Sequence, residues 1–280
     1  MPELPEVESI RNKFRLGSVD NPSLIGKTIR GVELLWPRTL ETPPPDEFSE
    51  RILGQKIIEI GRRGKYLLFH LDDATLVIHL RMSGDLFYEP VSAPLKKHHR
   101  LVLILDDEHR LAFNDARKFG RIWLVDDPVA MLAKLGPEPF DENLTATEFH
   151  HRLQRHRRQI KPLLLDQGFL AGVGNIYADE SLHLAKIHPL TRSHTISLEA
   201  AQRLLANLRH VLKEGIRRNG ASIDWVYRGG DYQNQFQVYQ RTGEACFRCQ
   251  TPIERIVVGQ RGTHFCPQCQ CESLPQGHRE

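Results

Sequence analysis

The chain has no stretch approaching the roughly eighteen apolar residues that a membrane-spanning helix requires, so nothing in it reads as a membrane protein. It shows no signal-peptide pattern. It has no internal repeat, which sets aside solenoids and propellers. Cysteine is missing from the first 245 residues, and all five cysteines fall between Cys246 and Cys271. That crowding excludes a disulfide framework spread over the chain and suits a metal site in a reducing compartment. Charge imbalance is also small: a net charge of +3 does not by itself argue for nucleic acid.

What the chain has is local. The 280 residues suffice for one large domain or two ordinary ones. Cations gather in the second half. Arg152, Arg155, Arg157, Arg158 and Lys161 share one acid-free run from His150 to Lys161, and Arg203, Arg209, Lys213 and Arg217 follow with only Glu214 among them. A basic face is therefore expected in the second half.

Alternating segments at 27–36 and 55–60, then Tyr66–His70, Thr75–Leu80, Leu101–Leu105, Arg110–Phe113 and Gly120–Val125, predict an antiparallel sandwich or barrel behind one N-terminal helix. Thr42-Pro43-Pro44-Pro45 reads as a surface loop. Gly136-Pro137-Glu138-Pro139 combines turn formers with a change of pattern and marks a boundary. Helices are predicted at Ala146–Arg157, Ile160–Leu165, Ile176–Leu184 and Ser197–Arg218. Short strands and the cysteines close the chain. The expected fold is α+β and two-lobed, divided at residues 1–136, 137–230 and 231–280.

Cys246-x-x-Cys249 and Cys266-x-x-Cys269 are separated by sixteen residues, Gln250 to Phe265, which suit two strands and a turn. Four thiolates fit tetrahedral zinc and leave no open position, so the ion would be structural. An iron–sulfur centre is the soft-ligand alternative. His264 is redundant beside four cysteines, and Cys271 is left over.

The first eight residues carry the most chemistry. Loss of Met1 would leave Pro2 with a secondary amine. An N-terminal amine titrates near pH ~8, below lysine, so more of it is unprotonated at neutral pH and able to attack an electrophilic carbon. Glu3 supplies an adjacent proton donor. Pro5 and Glu6 also look like an ordinary helix start, with proline in the first turn and acids at the positive helix end.

The opening Pro2-Glu3-Leu4-Pro5-Glu6-Val7-Glu8 resembles the bacterial formamidopyrimidine-DNA glycosylases. The likeness continues through Leu170-Ala171-Gly172-Val173-Gly174-Asn175-Ile176-Tyr177-Ala178-Asp179-Glu180 and the closing Gln260-Arg261-Gly262-Thr263-His264-Phe265-Cys266-Pro267-Gln268-Cys269-Gln270. It implies a β-sandwich lobe with an N-terminal helix, a helical lobe with a helix–two-turn–helix, and a β-hairpin zinc finger holding one structural zinc. The implied activity is removal of oxidised purines through a Pro2 Schiff base, then β,δ-elimination of the backbone. Pro2 and Glu3 are the implied catalytic pair, assisted by Lys65 and Arg261.

The resemblance also implies DNA contacts from His98, Arg157 and Asn175. It makes Met82, Arg117 and Phe119 the side chains that fill the gap left by an extruded nucleotide. Glu6 matches the third acidic position of the opening, and Lys161 either helps hold DNA or faces solvent. The residue-level alternatives stay plain: a capped helix, a charged turn at Gly61–Tyr66, core roles for Met82 and Phe119, a solvated turn at Arg261, and a helix pair joined by glycines, with Asn175 at its N-cap.

Two positions depart from the family pattern: Arg100 stands where a second histidine is usual, and Ala116 where proline is. The implied setting is a bacterial cytoplasmic monomer acting on damaged double-stranded DNA at the nucleoid. The segment from Ala221 to Gln233 is the candidate sensor of the damaged base. Leu4 tilts the reading from the pyrimidine-directed endonuclease VIII branch toward oxidised purines. A zinc-containing DNA-binding module without catalysis is the alternative of another class.

Overall fold

A computed structural model describes residues 1–17, 22–222 and 229–271. The chain forms two compact units. The first comprises Met1–Lys134 with Asn219–Gly230, and the second Leu135–Arg218 with Asp231–Glu280.

The first unit begins with α1 (Leu4–Leu16), whose first turn carries Pro5 and whose last turn carries Lys13 and Arg15. Proline there forfeits no helical hydrogen bond, and the end charges complement the helix dipole. Next come β1 (Ile29–Leu34), β2 (Leu40–Thr42), α2 (Pro45–Ile52), β3 (Glu59–Arg63), β4 (Tyr66–His70), β5 (Thr75–His79) and β6 (Gly84–Pro90). Then follow β7 (His99–Leu105), β8 (His109–Asp115), β9 (Arg121–Val125) and a single helical turn, α3 (Val129–Leu132).

The strands make two sheets, ordered β1-β7-β8-β6 and β2-β9-β5-β4-β3. Their facing side chains, among them Leu67, Phe69 and Ile78 from one sheet and Leu103, Leu111 and Phe113 from the other, form one core with Val7, Ile10 and Phe14 of α1. This is the expected sandwich behind an N-terminal helix.

The differences have local causes. The strand expected at 55–60 starts only at Glu59, and its residues through Arg63 pair with β4. The proline run is not wholly loop: Pro44 caps α2 and Pro45 occupies its first turn, while Phe48 and Ile52, one helical turn apart, are buried. β2 pairs parallel with β9, so the lobe is not entirely antiparallel. β6 carries Gly84, Asp85 and Pro90, which weaken its strand signal, yet it pairs with β8 along its whole length.

The second unit contains α4 (Ala146–Gln154), α5 (Ile160–Leu164), α6 (Asn175–Ala185), α7 (Leu198–Arg217), β10 (Glu254–Val258) and β11 (Arg261–Phe265). Thr145 and Ser197 cap α4 and α7 by accepting the backbone N–H groups of Glu148 and Ala200. Leu204, Leu205, Leu208, Val211 and Leu212 recur at helical spacing and form the buried face of α7, which packs on α6. Gly215 lets it come close: a Cβ there would lie 2.5 Å from the Tyr177 hydroxyl.

α4 stops short of the expected Arg157. The Ser193 hydroxyl donates to the His156 carbonyl, and Ser193 N–H donates to the Arg158 carbonyl at 2.9 Å. Between α5 and α6 the Gln167 amide ties two successive turns. Its Nε2 donates to the carbonyls of Leu165 and Val173, and its Oε1 accepts Gly172 N–H, each at 2.9 Å.

Candidate active site and nucleic-acid interface

At the N-terminus, Glu3 is the N-cap of α1 and forms a reciprocal capping box with Glu6. Glu3 N–H donates to Glu6 Oε2 at 2.7 Å. The other Glu6 oxygen accepts Ala221 N–H at 2.8 Å. Gly220, at φ +81°, makes the approach possible, since a Cβ there would stand 2.7 Å from Glu6 Cγ. Pro2 and Glu3 are buried against this frame. Glu6 is buried, with both oxygens on backbone donors, and it braces the segment that carries Pro2 and Glu3.

Lys65 lies in the same unit. Arg63 pairs with Tyr66, leaving Gly64-Lys65 as a two-residue hairpin turn with Gly64 at φ +58°. The expected three-cation turn is thus narrower, because Arg62 and Arg63 belong to β3. Arg62 Nε holds Glu8 at 2.7 Å, and Arg11 holds it at 2.5 Å. Burial pushes the Glu8 carboxyl up, but the two guanidinium groups outweigh it and keep it below its usual range. Lys65 itself is only 5% exposed. Beside it, burial pushes His79 down to about 3, aided by the charges of Arg81 and Lys65. The ring is neutral and accepts Arg81 N–H at Nδ1, 3.0 Å away.

Met82 and Phe119 are not core residues. They are 37% and 46% exposed, Met82 in the middle of a short turn from Arg81 to Ser83 and Phe119 at the end of one from Ala116. The Arg117 guanidinium lies over the Phe119 ring at 5.1 Å. His98 is half-buried, its Nδ1 3.3 Å from Arg100 Nη2. Arg100 is buried and donates from Nε to the Asp115 carbonyl at 2.7 Å. The arginine that departs from the family pattern is thus tied into the fold rather than exposed.

In the second unit, β10 and β11 join through Gly259-Gln260, both at positive φ, a two-residue turn that fits strand twist. Arg261 is exposed as the first residue of β11, so it stands on a strand rather than in a loose loop. The carbonyl of Gly262 next to it accepts Lys161 Nζ and Asn175 Nδ2, each at 3.0 Å. Lys161 does not face solvent: its side chain is 0% exposed and pairs with Asp179 Oδ1 at 2.6 Å. Asp179 Oδ2 accepts His264 N–H at 2.9 Å. Gly174 is the N-cap of α6 and Asn175 the first helical residue, so the helix starts one position earlier than expected.

The basic run is partly consumed internally. Arg152 donates to the Phe169 carbonyl and Arg158 pairs with Asp166 at 2.6 Å, whereas Arg155 and Arg157 remain exposed.

The four cysteine sulfurs of Cys246, Cys249, Cys266 and Cys269 lie within 4.8 Å of one another. Cys246–Cys269 is 3.9 Å, Cys249–Cys266 3.4 Å and Cys249–Cys269 3.5 Å. Zinc–sulfur bonds of ~2.3 Å in a tetrahedron would place sulfurs ~3.8 Å apart, so the cluster fits such an ion. Backbone N–H groups of Arg248 and Cys269 point at Cys246 and Cys266 sulfurs, as knuckle turns do. The Thr251 hydroxyl and N–H hold Cys249 down to about 6, while burial pushes Cys266 up.

Comparison with known proteins finds three successive matches along the chain. Residues 1–122 match the formamidopyrimidine-DNA glycosylase N-terminal domain, 135–226 its H2TH domain, and 243–270 the zinc finger found in FPG and IleRS. The chain belongs to the formamidopyrimidine-DNA glycosylase family. The family member from Chloroflexus aurantiacus is 48% identical over 278 residues, covering 96% of this chain and 98% of its own. That of Herpetosiphon aurantiacus is 43% identical, covering 96% and 100%. Among solved structures, a Lactococcus lactis FPG mutant in complex with Fapy-dG-containing DNA superposes with a TM-score of 0.90 at 37% identity, over 97% of this chain and all of that one. MutM in complex with DNA containing carbocyclic 8-oxo-G gives 0.89 at 37% identity, over the same shares.

Several residues around this family's site were not legible as such. Asp115, Asp179, Glu180 and His79 are all buried, and each looks in sequence like an ordinary strand or helix residue. Glu180 accepts the N–H groups of Gln237, Val238 and Tyr239 and so anchors the segment leading to the finger. Burial nonetheless pushes its carboxyl up to about 7. The only available signal was a pair of adjacent acids, Asp179-Glu180, within an otherwise apolar helix. Of the candidate base sensor, Ala221 to Gln233, residues 223–228 lie outside the described residues.

Proposed function

We propose that the chain is a bifunctional DNA glycosylase and AP lyase that excises oxidised purines, 8-oxoguanine and formamidopyrimidines, from duplex DNA. The observation that supports this most directly is its whole-length likeness to lesion-bound members of the family, with Pro2 and Glu3 held by the Glu6 capping box. In this reading the Pro2 amine, freed by loss of Met1, attacks C1′ of the damaged nucleotide. Glu3 delivers a proton to the opening sugar, the base departs with its bonding pair, and an iminium joins Pro2 to the sugar. Successive β- and δ-eliminations then expel the two phosphates. Lys65, a mobile point charge, aids proton transfer, and Arg261 holds the phosphate with its rigid fork.

Met82, Arg117 and Phe119 fill the vacated stack, which offsets part of the cost of unstacking a base. His98, Arg157 and Asn175 hold phosphates. Lys161 acts on DNA only through the Gly262 carbonyl that it fixes beside Arg261. Cys246, Cys249, Cys266 and Cys269 would hold one structural zinc, which supplies a closed tetrahedral anchor and no open ligand position. Activity as a monomer in the bacterial cytoplasm, and boundaries near residues 136 and 231, belong to the same proposal.

The test is cleavage of duplexes carrying 8-oxoguanine opposite cytosine, compared with thymine glycol, with borohydride present in a parallel reaction. The oxidised purine is expected to be cut faster and to trap a covalent adduct that Pro2→Gly abolishes. Preference for thymine glycol, or purine excision with no adduct, would overturn the reading.

A further inference from the structure

Asp115 ends β8 with no exposed surface, and neither the resemblance nor the mechanism uses it. Its carboxylate gathers two turns. Oδ1 accepts the Ser83 hydroxyl and Arg117 N–H, the latter at 3.2 Å, and Oδ2 accepts Gly120 N–H at 2.7 Å. Ser83 Oγ also receives Arg117 N–H at 3.1 Å, so one side chain from each turn meets at one backbone donor. Met82 precedes Ser83, Arg117 carries one of the backbone donors that Asp115 holds, and Phe119 precedes the other.

The backbone of Asp115 reaches a third segment. Its N–H donates to the His98 carbonyl at 2.8 Å, and its carbonyl accepts Arg100 Nε at 2.7 Å. Arg100 in turn accepts Trp36 N–H at its carbonyl, 3.0 Å away, and the Trp36 ring receives Lys118 Nζ at 3.7 Å. Lys118 sits between Arg117 and Phe119 at φ +62°. Gly120 is required by the same closure: a Cβ there would stand 2.3 Å from Phe113 Cζ.

A carboxylate without surface access is costly unless its oxygens are occupied, and here the occupants are the turns that expose Met82, Arg117 and Phe119. From this we infer that Asp115 is a positioning residue for base extrusion: it locks the three inserted side chains into one rigid unit, and Arg100 ties that unit to His98. The inference rests on the proposed glycosylase function. Asp115 touches neither the sugar nor the base, so it sets how well the orphaned partner base is held rather than the attack of Pro2.

Asp115→Asn keeps the shape but turns a hydrogen-bond donor toward a backbone or hydroxyl donor, leaving a buried group unsatisfied. Single-turnover excision of 8-oxoguanine opposite cytosine is expected to fall on the order of tenfold. The ratio of excision opposite cytosine to excision opposite adenine should shrink with it. Borohydride trapping on a single-stranded oligonucleotide with a preformed abasic site, which has no partner base to hold, should fall far less. A merely unfolded fraction would lower all three rates together and leave the ratio alone.

Ser83→Ala, which removes one donor and leaves the carboxylate, should move the ratio the same way by less; it carries the test if the Asn variant does not fold. An unchanged ratio in a folded variant, or equal loss on duplex and single strand, overturns the inference. Parent protein that cuts no oxidised duplex sinks the proposed function as well, which separates the two failures.

Discussion

Lys161 illustrates how a residue's type and its surroundings divide the explanation. As one cation in a basic run it resembled a phosphate contact. In the fold its charge is spent on Asp179, and its remaining donors on the Thr263 hydroxyl and the Gly262 carbonyl, which fixes the strand that begins at Arg261. Replacing it with methionine would leave Asp179 charged and buried. The expected cost is about 3–5 kcal/mol of unfolding free energy, read from denaturant titration. Lys161→Met with Asp179→Asn should recover a large part, because the uncompensated charge is then gone.

His79 gives a second test at this scale. Its ring, pushed down to about 3, binds no proton over a range where the unfolded chain, with an ordinary value of 6.5, does. Native stability should therefore fall as pH drops from 6.5 toward 3, and the ring resonances in NMR should show no titration near 6.5. A midpoint near 6.5 would mean that the ring is solvated and that Lys65 does not have a neutral neighbour.

Among elements, those with strong local signals were readable. The helix start at Leu4–Glu6, the strands Tyr66–His70 and Thr75–His79, the long α7 and the paired cysteines each carry their own chemistry of turn, periodicity or ligand spacing. What was not readable depends on partners distant in sequence. β2 is three residues long and exists through its pairing with β9, and β6 has turn formers at both ends but a complete partner in β8. The site followed the same rule. The proposed site residues Met82, Arg117, Phe119 and Arg261 came from the family resemblance and prove exposed, whereas the buried residues packed beneath them carry no such signal, because burial is a property of the packed fold.

The finger makes a prediction at this scale. Its small core, Val238, Cys246, Ile253 and Cys266, includes two of the proposed ligands, so zinc and packing are one structure. One zinc per chain is expected by elemental analysis. Chelation should raise hydrogen exchange in β10 and β11 and leave the sandwich strands protected. Uniform protection after complete metal loss would show that the hairpin holds without an ion.

At the scale of the whole molecule, a net charge of +3 says little, and the internal use of Arg152, Arg158 and Lys161 shows why counting cations along a segment overstates a basic face. Membership of the family rests instead on three domain matches in one order and on likeness over nearly the full length. The account makes a single covalent bond its centre, between the amine of Pro2 and C1′ of a damaged nucleotide. Mass spectrometry of the borohydride-reduced complex tests that bond directly. The expected result is a deoxyribose-derived adduct on the N-terminal peptide of chain lacking Met1, mapped to Pro2. An adduct mapped to Lys65 or another lysine, with Pro2 unmodified, would contradict it.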